Sequence, residues 1–318
     1  MLKAMARRLA LSLLVVWLVT VLVFVSTEVL PGDALQVSLT ADEAAQMSEA
    51  DLSKRRAELG LDRPAVVRYG DWLLHALRGD FGTTIIGKAN VAEVIGYPLR
   101  NSILLGLVTA LVAIPVALAI GIAAACWRGR WPDVAASSAA IVGYSIPEFA
   151  SGNFLILCLA IWLPVFPAMI TAFTKDPPSA LLASAFLPVL TVVIGSIAHL
   201  VRLVRAGFIE ALSSDYVERA RLAGASNLSV VLRHALPASV IPALNSAALY
   251  VAGLLSGIIV VEKVFAYPGL GLVLINAVEK REVAVVQAIS LIAAVIVIGM
   301  NLVADAAVMA IDPRARRA

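Results

Sequence analysis

Residues 101–127 read NSILLGLVTALVAIPVALAIGIAAACW, a run without a charged side chain. A helix needs about 20 apolar residues to cross the hydrocarbon core of a bilayer. Five further stretches meet this criterion, at residues 9–27, 134–164, 181–201, 238–261 and 283–304. The runs are continuously apolar rather than alternating, which favours helices over the strands of a barrel. The sequence therefore predicts an all-α polytopic membrane protein with six transmembrane helices.

The composition excludes a soluble globular domain. Of 318 residues, 61% are hydrophobic and only 15% are charged, and the mean hydropathy is +0.92. The first span follows Lys3, Arg7 and Arg8, but it is too long for a secretory signal and no small-residue cleavage site follows it. We interpret it as an uncleaved signal anchor. Cys126 and Cys158 both lie inside predicted spans, so the sequence offers no disulfide framework.

The basic residues predict the orientation in the membrane, because cytoplasmic loops carry an excess of Lys and Arg. If the amino terminus is cytoplasmic, the inner segments collect Lys3, Arg7, Arg8, Arg128, Arg130, Arg202, Arg205, Arg219, Arg221, Arg233, Arg314, Arg316 and Arg317. The short outer loops then hold only Lys175, Lys263, Lys280 and Arg281. Both termini are therefore predicted to be cytoplasmic.

The chain divides into three predicted parts. Residues 1–97 comprise the signal anchor and a small external subdomain, in which we expect helices at 41–60 and 64–77 followed by a turn at 79–82. Residues 98–310 form a five-helix core with a cytoplasmic segment at 212–237. Residues 311–318 form a cytoplasmic tail.

Residues 82–88, GTTIIGK, match the first seven positions of a phosphate-binding P-loop. The motif next requires Ser or Thr for magnesium, and position 89 is Ala. We also expect no buried strand before the loop and no long helix after it. The match is interpreted as fortuitous, and the chain is predicted to have no ATPase site and to be no enzyme.

The cytoplasmic segment at 212–237 is polar and too short to span. Asp215, with Glu218 three residues later, resembles a capping box at a helix start. Val217, Ala220, Leu222 and Ala223 would form one apolar edge, and Gly224 a left-handed stop. Ser226 or Asn227 can cap a second helix carrying Leu228, Val231 and Leu232, which Pro237 would end.

Three functions were compared for this segment, and two of them remain open. It could be an interfacial linker with its basic face on lipid headgroups. It could be a DNA-reading helix-turn-helix, but the flanking spans keep it from any major groove. It could dock a cytoplasmic motor subunit. Spacing alone slightly favours the linker over the docking element.

Polar side chains within the spans are the candidates for a translocation path, because such groups are costly in lipid. The candidates are Glu148, Asn153, Asn245, Ser246 and Asn301. Glu148 follows Pro147, where we expect a kink; lining the path and pairing two helices remain equally open for it. His199 is interpreted as interfacial. No cluster has the spacing of a metal site.

Several motifs resemble one known family. Glu218, Ala220, Gly224 and Leu236-Pro237 resemble the EAA loop signature of ABC importer membrane subunits, although Arg219 and His234 replace its second Ala and its Ile. These departures are typical of the dipeptide/oligopeptide branch. Further motifs of that branch occur in order along the chain at residues 30–33, 58–64, 77–82, 145–147, 261–271 and 312–314.

The resemblance implies a permease subunit of a type-I ABC importer in the bacterial inner membrane. The ATPase-coupling residues would be Asp215, Glu218, Arg219, Ala220, Gly224, Leu236 and Pro237. The implied partners are a second homologous permease subunit, two cytoplasmic ATP-binding subunits, an extracytoplasmic solute-binding protein and membrane lipid. ATP and magnesium would be used by those partner subunits, with no cofactor on this chain. The implied substrates are short peptides or related small solutes.

Two other classes of protein remain as alternatives. A stand-alone ion-coupled secondary transporter needs coupling carboxylates at mid-membrane, and only Glu148 is placed for that role. A membrane-embedded enzyme is weaker still, since no His-Glu-x-x-His occurs and residues 143–147 lack the final Gly of a hydrolase elbow.

Overall fold

The apolar runs form long helices in the computed structural model, which describes residues 2–28, 48, 51, 53–54, 62–85, 87–237 and 258–311. Helices long and apolar enough to span are Ala6–Thr27, Val91–Cys126, Phe186–Leu212 and Val283–Val303, and a bent pair adds a fifth candidate. The predicted span at 238–261 lies outside the described residues except for 258–261, which are helical. The all-α membrane class is confirmed.

The described helices are numbered here in chain order. They are α1 (Leu2–Glu28), α2 (Ala65–Leu77), α3 (Val91–Cys126), α4 (Trp131–Ser145), α5 (Glu148–Leu155), α6 (Pro178–Ser184), α7 (Phe186–Leu212), α8 (Asp215–Leu222), α9 (Asn227–Ser229), α10 (Leu270–Glu279) and α11 (Val283–Ile311). Wider π-helical turns extend α5 over Ile156–Trp162 and α9 over Val230–Ala235.

The third predicted span, residues 134–164, is not one continuous helix. The chain bends by 102° between α4 and the helix that begins at Glu148. Ile146 has an extended backbone, with φ −92° and ψ 121°, as the residue before a proline prefers. Pro147 then stands as the N-cap of α5. The kink expected at Pro147 is thus a full break of the helix, made by these two residues together.

Helix α7 packs against α3, α4 and α5 and forms the centre of the bundle. Small residues let the backbones of α3 and α7 approach closely. A Cβ atom at Gly121 would lie 2.7 Å from Val204 Cγ1 and 3.1 Å from the Val201 carbonyl oxygen. Ala113 and Ala117 of α3 are fully buried in the same core.

Helix α2 rests on α1, as expected of a subdomain too small to form its own core. The Tyr69 hydroxyl lies 2.7 Å from Thr20 Oγ1, and the Phe24 ring meets Tyr69 edge-on at 5.4 Å. The predicted helix at 64–77 is confirmed with Pro64 as its N-cap. The predicted helix at 41–60 falls almost entirely outside the described residues.

The loop before α3 contacts Glu282, the residue that precedes α11. Gly79 and Gly82 adopt the left-handed φ that the predicted turn requires. The backbone N–H of Ile85 donates to Glu282 Oε2 at 2.7 Å. The expectation that no long helix follows the P-loop-like stretch was wrong, since α3 begins at Val91. The Asn90 side chain already accepts from the Ala92 N–H at the start of α3.

Candidate functional site

The segment at 212–237 folds as two short helices at one end of the bundle. The N-cap of α8 is Ser214, and Asp215 is the first helical residue rather than the cap that the sequence predicted. The Ser214 hydroxyl donates to the Ala211 carbonyl at 2.6 Å instead of capping α8. The capping box predicted from Asp215 and Glu218 is therefore not formed. Both carboxylates lie in the first turn, where the helix dipole favours negative charge.

Gly224 ends α8 as predicted, with φ +84°. Its N–H donates to the Arg221 carbonyl at 3.0 Å, and the Ala225 N–H donates to the Ala220 carbonyl at 3.1 Å. These two bonds define a Schellman motif, which requires a left-handed residue at this position. Gly224 thus fixes the angle at which the chain enters the second helix.

The second helix is capped and tied to the first. The Ser226 hydroxyl accepts from the Ser229 N–H at 3.3 Å, so Ser226 rather than Asn227 is the cap. The Tyr216 hydroxyl donates to the His234 carbonyl at 3.1 Å and joins the two helices. Leu236 and Pro237 are still helical, and residues 238–257 lie outside the described part of the chain.

The buried side of the segment holds it to the bundle. Val217, Val230 and Ala235 are buried in a cluster that also contains Phe208 and Ala211 of α7. Ala125, at the end of α3, joins the same cluster. The two short helices therefore pack against the end of α7.

The other side of the segment exposes large apolar side chains. Leu222 is 82% exposed, Leu228 68% and Leu232 52%. The apolar side chains of α8, which were predicted to form one edge, therefore lie on two sides, since Val217 faces the bundle while Leu222 points away. Glu218 and Arg219 are also exposed, and neither forms an ion pair with a residue that the structure describes. We call the surface formed by Tyr216, Glu218, Arg219, Leu222, Leu228 and Leu232 the outer face of the segment.

The predicted translocation residues do not form one cluster within the described chain. Glu148 begins α5 and is half-buried against α7, while Asn153 of the same helix is exposed. Asn301 is half-buried on α11, which packs against α1, α3 and α10. Asn245 and Ser246 lie outside the described residues.

A groove between α4 and α7, mostly apolar but with several polar side chains, was not predicted from the sequence. Its lining includes Ser137, Tyr144, Ser145, His199, Arg202 and Arg205. His199, which the sequence suggested was interfacial, lies in this groove with its Nδ1 atom 3.3 Å from Arg202 Nη2. The spacing of Gly195, His199 and Arg202 could have indicated it, because these residues share one face of a helix.

An ion pair closes this groove at the end nearest the 212–237 segment. The Arg205 Nη2 atom donates to Asp133 Oδ2 at 2.8 Å, and Arg205 Nε donates to Asp133 Oδ1. The Gly129 N–H also donates to the buried Asp133 carboxylate at 2.9 Å. The pair links the start of α4 to α7.

The opposite end of the bundle contains a buried polar network around Glu262. Its Oε2 atom accepts from the N–H groups of Gly271 and Leu272 at the start of α10, at 2.6 and 3.2 Å. The Ser102 hydroxyl donates to Glu262 Oε1 and accepts from the Leu270 N–H at 2.7 Å. A carboxylate thus caps α10, a role that the family resemblance of residues 261–271 did not predict.

Asn101 extends the same network across the chain. Its Nδ2 atom donates to the carbonyls of Thr174 and Pro268, at 3.1 and 2.8 Å. The Tyr267 hydroxyl donates to the Asn101 carbonyl at 2.9 Å. Burial raises the pKa of the Tyr267 phenol, and the nearby Glu262 carboxylate raises it further. The phenol therefore remains a hydrogen-bond donor throughout the physiological pH range.

Comparisons with known proteins agree with this architecture. The family described as "Binding-protein-dependent transport system inner membrane component" matches residues 117–317. The glutathione transport system permease protein GsiC of Escherichia coli (strain K12) is 35% identical over 319 residues, covering 99% of each chain. The proteins of the same name from Salmonella typhi and Shigella flexneri serotype 5b are 35% and 36% identical, with the same coverage.

The family match and these full-length relatives identify the membrane subunit of a transporter. The chain belongs to the inner membrane components of binding-protein-dependent transport systems. It is a multi-pass permease of an ABC importer of the peptide type and not an enzyme. An ion-coupled transporter is not favoured.

Proposed function

We propose that the outer face of the 212–237 segment is the docking site for a cytoplasmic ATPase subunit. The observation that carries this proposal is the exposure of Leu222, Leu228 and Leu232 on a firmly folded polar element. Exposed apolar clusters rimmed by charge are typical of protein–protein interfaces. Glu218 and Arg219 supply charge beside them, and the small side chain of Ala220 permits close approach.

A push on this face would reach the centre of the bundle. Val217 and Val230 are packed against Phe208, and the Schellman turn at Gly224 fixes the angle between the two helices. Packed elements of this kind move as rigid bodies. Closure of two ATPase subunits would therefore displace α7 and the helices packed on it.

The remaining assembly is inferred from the family. The chain would form half of a translocation pathway, with a second homologous permease subunit as the other half. Exposed apolar side chains of α4 and α5, among them Val142 and Phe154, offer surface for such a partner and for lipid. Two ATP-binding subunits would use ATP and magnesium, and a solute-binding protein would deliver the substrate on the extracytoplasmic side.

We propose that both termini and the 212–237 segment face the cytoplasm. Arg128, Arg130, Arg202 and Arg205 lie at the end of the bundle that carries the segment, as the distribution of positive charge requires. The domain division stays at residues 1–97, 98–310 and 311–318, although the helix that crosses the first boundary begins at Val91.

The proposed substrates are short peptides or a related small solute. The relatives from Escherichia coli, Salmonella typhi and Shigella flexneri are glutathione permeases, and glutathione is itself a modified tripeptide. Both substrate types are small and carry an ammonium group and carboxylates. The ion-coupled alternative rests on Glu148 alone.

The docking proposal is tested by charging the outer face. The Leu222→Glu/Leu228→Glu variant should bind the ATPase subunits at least about tenfold more weakly, because two carboxylates replace the apolar contact. Leu77→Glu is the matched control, since Leu77 is 76% exposed at the other end of the bundle. Affinity is measured by titrating purified ATPase subunits onto the permease pair in lipid nanodiscs. Equal affinity of the double variant and the wild type would refute docking at this face.

A further inference from the structure

We propose that the groove between α4 and α7 holds a short zwitterionic peptide, with its ammonium at Glu148 and its carboxylate at Arg202 and His199. This inference rests on the proposed function and names the residues that would recognise the substrate. It also fixes the direction in which the peptide lies along α7.

Glu148 lies against α7 one helical turn before His199, next to the groove, because residue 195 of α7 has no side chain. A Cβ atom at Gly195 would lie 3.0 Å from Glu148 Cγ and 3.3 Å from Glu148 Oε1. The Glu148 carboxylate therefore lies directly on the α7 backbone. His199 and Arg202 follow at four and seven residues, on the same face of the helix.

The opposite wall comes from the end of α4. Tyr144 and Ser145 line the groove immediately before the 102° break that carries the chain to Glu148. The break is thus what brings a carboxylate from the next helix toward residues at the end of α4. Tyr144 offers a hydroxyl group to the backbone of a bound peptide, and Ser145, whose hydroxyl donates to the Ile141 carbonyl, offers an acceptor oxygen.

Neither Glu148 nor Arg202 forms an ion pair with an oppositely charged side chain in the described part of the chain. The Glu148 side chain forms no hydrogen bond or ion pair with a described residue. Arg202 contacts the His199 ring and no described carboxylate, whereas the neighbouring Arg205 is occupied by Asp133. A carboxylate within a membrane span is costly without a partner, and a solute ammonium would supply one.

The separation of the charges selects the length of the peptide. Gly195 and Arg202 are seven residues apart, which corresponds to about 10 Å along a helix. An extended chain covers about 3.3–3.6 Å per residue. The groove therefore suits a peptide of two or three residues. An anionic lipid is less suited, because Glu148 would repel it.

The test uses the whole complex in proteoliposomes and three probes: trialanine, N-acetyl-trialanine and trialanine amide. We expect ATP-driven uptake by the wild type to favour trialanine at least tenfold over each blocked form. In Glu148→Gln, N-acetyl-trialanine should be taken up as well as trialanine, while trialanine amide is still disfavoured. In Arg202→Gln, trialanine amide should be taken up as well as trialanine, while N-acetyl-trialanine is still disfavoured. The same solute-binding protein is used throughout, so a change in the uptake ratio reports on this chain.

Glu210→Gln and Arg128→Gln are matched controls, because both residues are exposed and neither lines the groove. Unchanged ratios, or an equal loss for all three probes, would overturn the proposal. Loss in Arg202→Gln that depends on the phosphatidylglycerol content would assign Arg202 to lipid instead. A wild type that imports none of the probes would refute the peptide assignment, whereas failure of ATPase docking is detected separately by the titration of Leu222→Glu/Leu228→Glu.

Discussion

The two ends of the bundle differ in what they bury and what they expose. At the Glu262 end, buried side chains and backbone N–H groups pair with one another through Ser102, Asn101 and Tyr267. At the 212–237 end, a folded segment leaves Leu222 and Leu228 exposed. Among the described residues, the polar groups at the first end pair with one another, while the second end exposes large apolar side chains. The difference supports the proposal that an ATPase subunit docks on the 212–237 segment.

The largest effect on stability is expected from adding a methyl group at the Glu262 end of the bundle. A Cβ atom at Gly271 would lie 2.5 Å from the Ile259 Cα atom and 2.9 Å from Glu262 Oε2. Because backbone cannot move aside as a side chain can, Gly271→Ala should cost about 3 kcal/mol of unfolding free energy. Thermal unfolding of the purified chain in detergent measures it.

Gly96→Ala is the control for this experiment, since nothing lies within 4 Å of a Cβ atom at that helical position. It should stabilise the chain slightly, by up to about 1 kcal/mol. Equal unfolding temperatures for the two variants would show that the Glu262 end is not tightly packed.

The next largest effect on stability is expected from the Asp133–Arg205 ion pair, at the end of the bundle that carries the 212–237 segment. Asp133→Asn removes the charge that Arg205 contacts and should cost about 1–3 kcal/mol, because the Asp133 side chain is only 5% exposed. A double-mutant cycle with Arg205→Gln measures the coupling between the two residues. Additive losses would mean that the pair does not hold α4 to α7.

A smaller change should separate docking from folding. Gly224→Val forces a β-branched residue into the left-handed region, at a cost of about 1–2 kcal/mol. We expect about tenfold weaker ATPase binding, because the angle between α8 and α9 changes. Gly129→Val is the control, with φ +77° and equally open space. If both variants bind the ATPase subunits equally, the turn at Gly224 has no special role in docking.

The smallest effect is expected from the surface pair Lys263–Glu279, whose side chains are 45% and 61% exposed. Lys263→Ala should change the unfolding free energy by less than about 0.5 kcal/mol. Chemical denaturation checks this value. A loss of unfolding free energy as large as that caused by Gly271→Ala would show that the stabilising network around Glu262 includes this surface pair.

Local patterns in the sequence predicted the local structure well. The helix Ala65–Leu77 and the left-handed turn at Gly224 depend on neighbouring residues, and both were predicted. The full break at Pro147 was predicted only as a kink, because a proline within an apolar run is compatible with either outcome. The start of α8 was displaced by one residue because the Ser214 hydroxyl binds the preceding helix.

The features that were missed depend on contacts between distant residues. Ser102 and Glu262 are 160 positions apart, and no periodicity connects them. The groove arises where α4 packs on α7, a contact between residues about 60 positions apart. Of the predicted translocation residues, only Glu148 lies beside this groove among those described, and its role stays a prediction.

The central claim is that force from an ATPase enters through the outer face of the 212–237 segment. It is tested most directly by measuring solute uptake in proteoliposomes that contain the permease pair, with and without the ATPase subunits. We predict uptake only with ATP and the ATPases, and its loss in Leu222→Glu/Leu228→Glu but not in Leu77→Glu. Uptake driven by a proton or sodium gradient without the ATPase subunits would contradict the account.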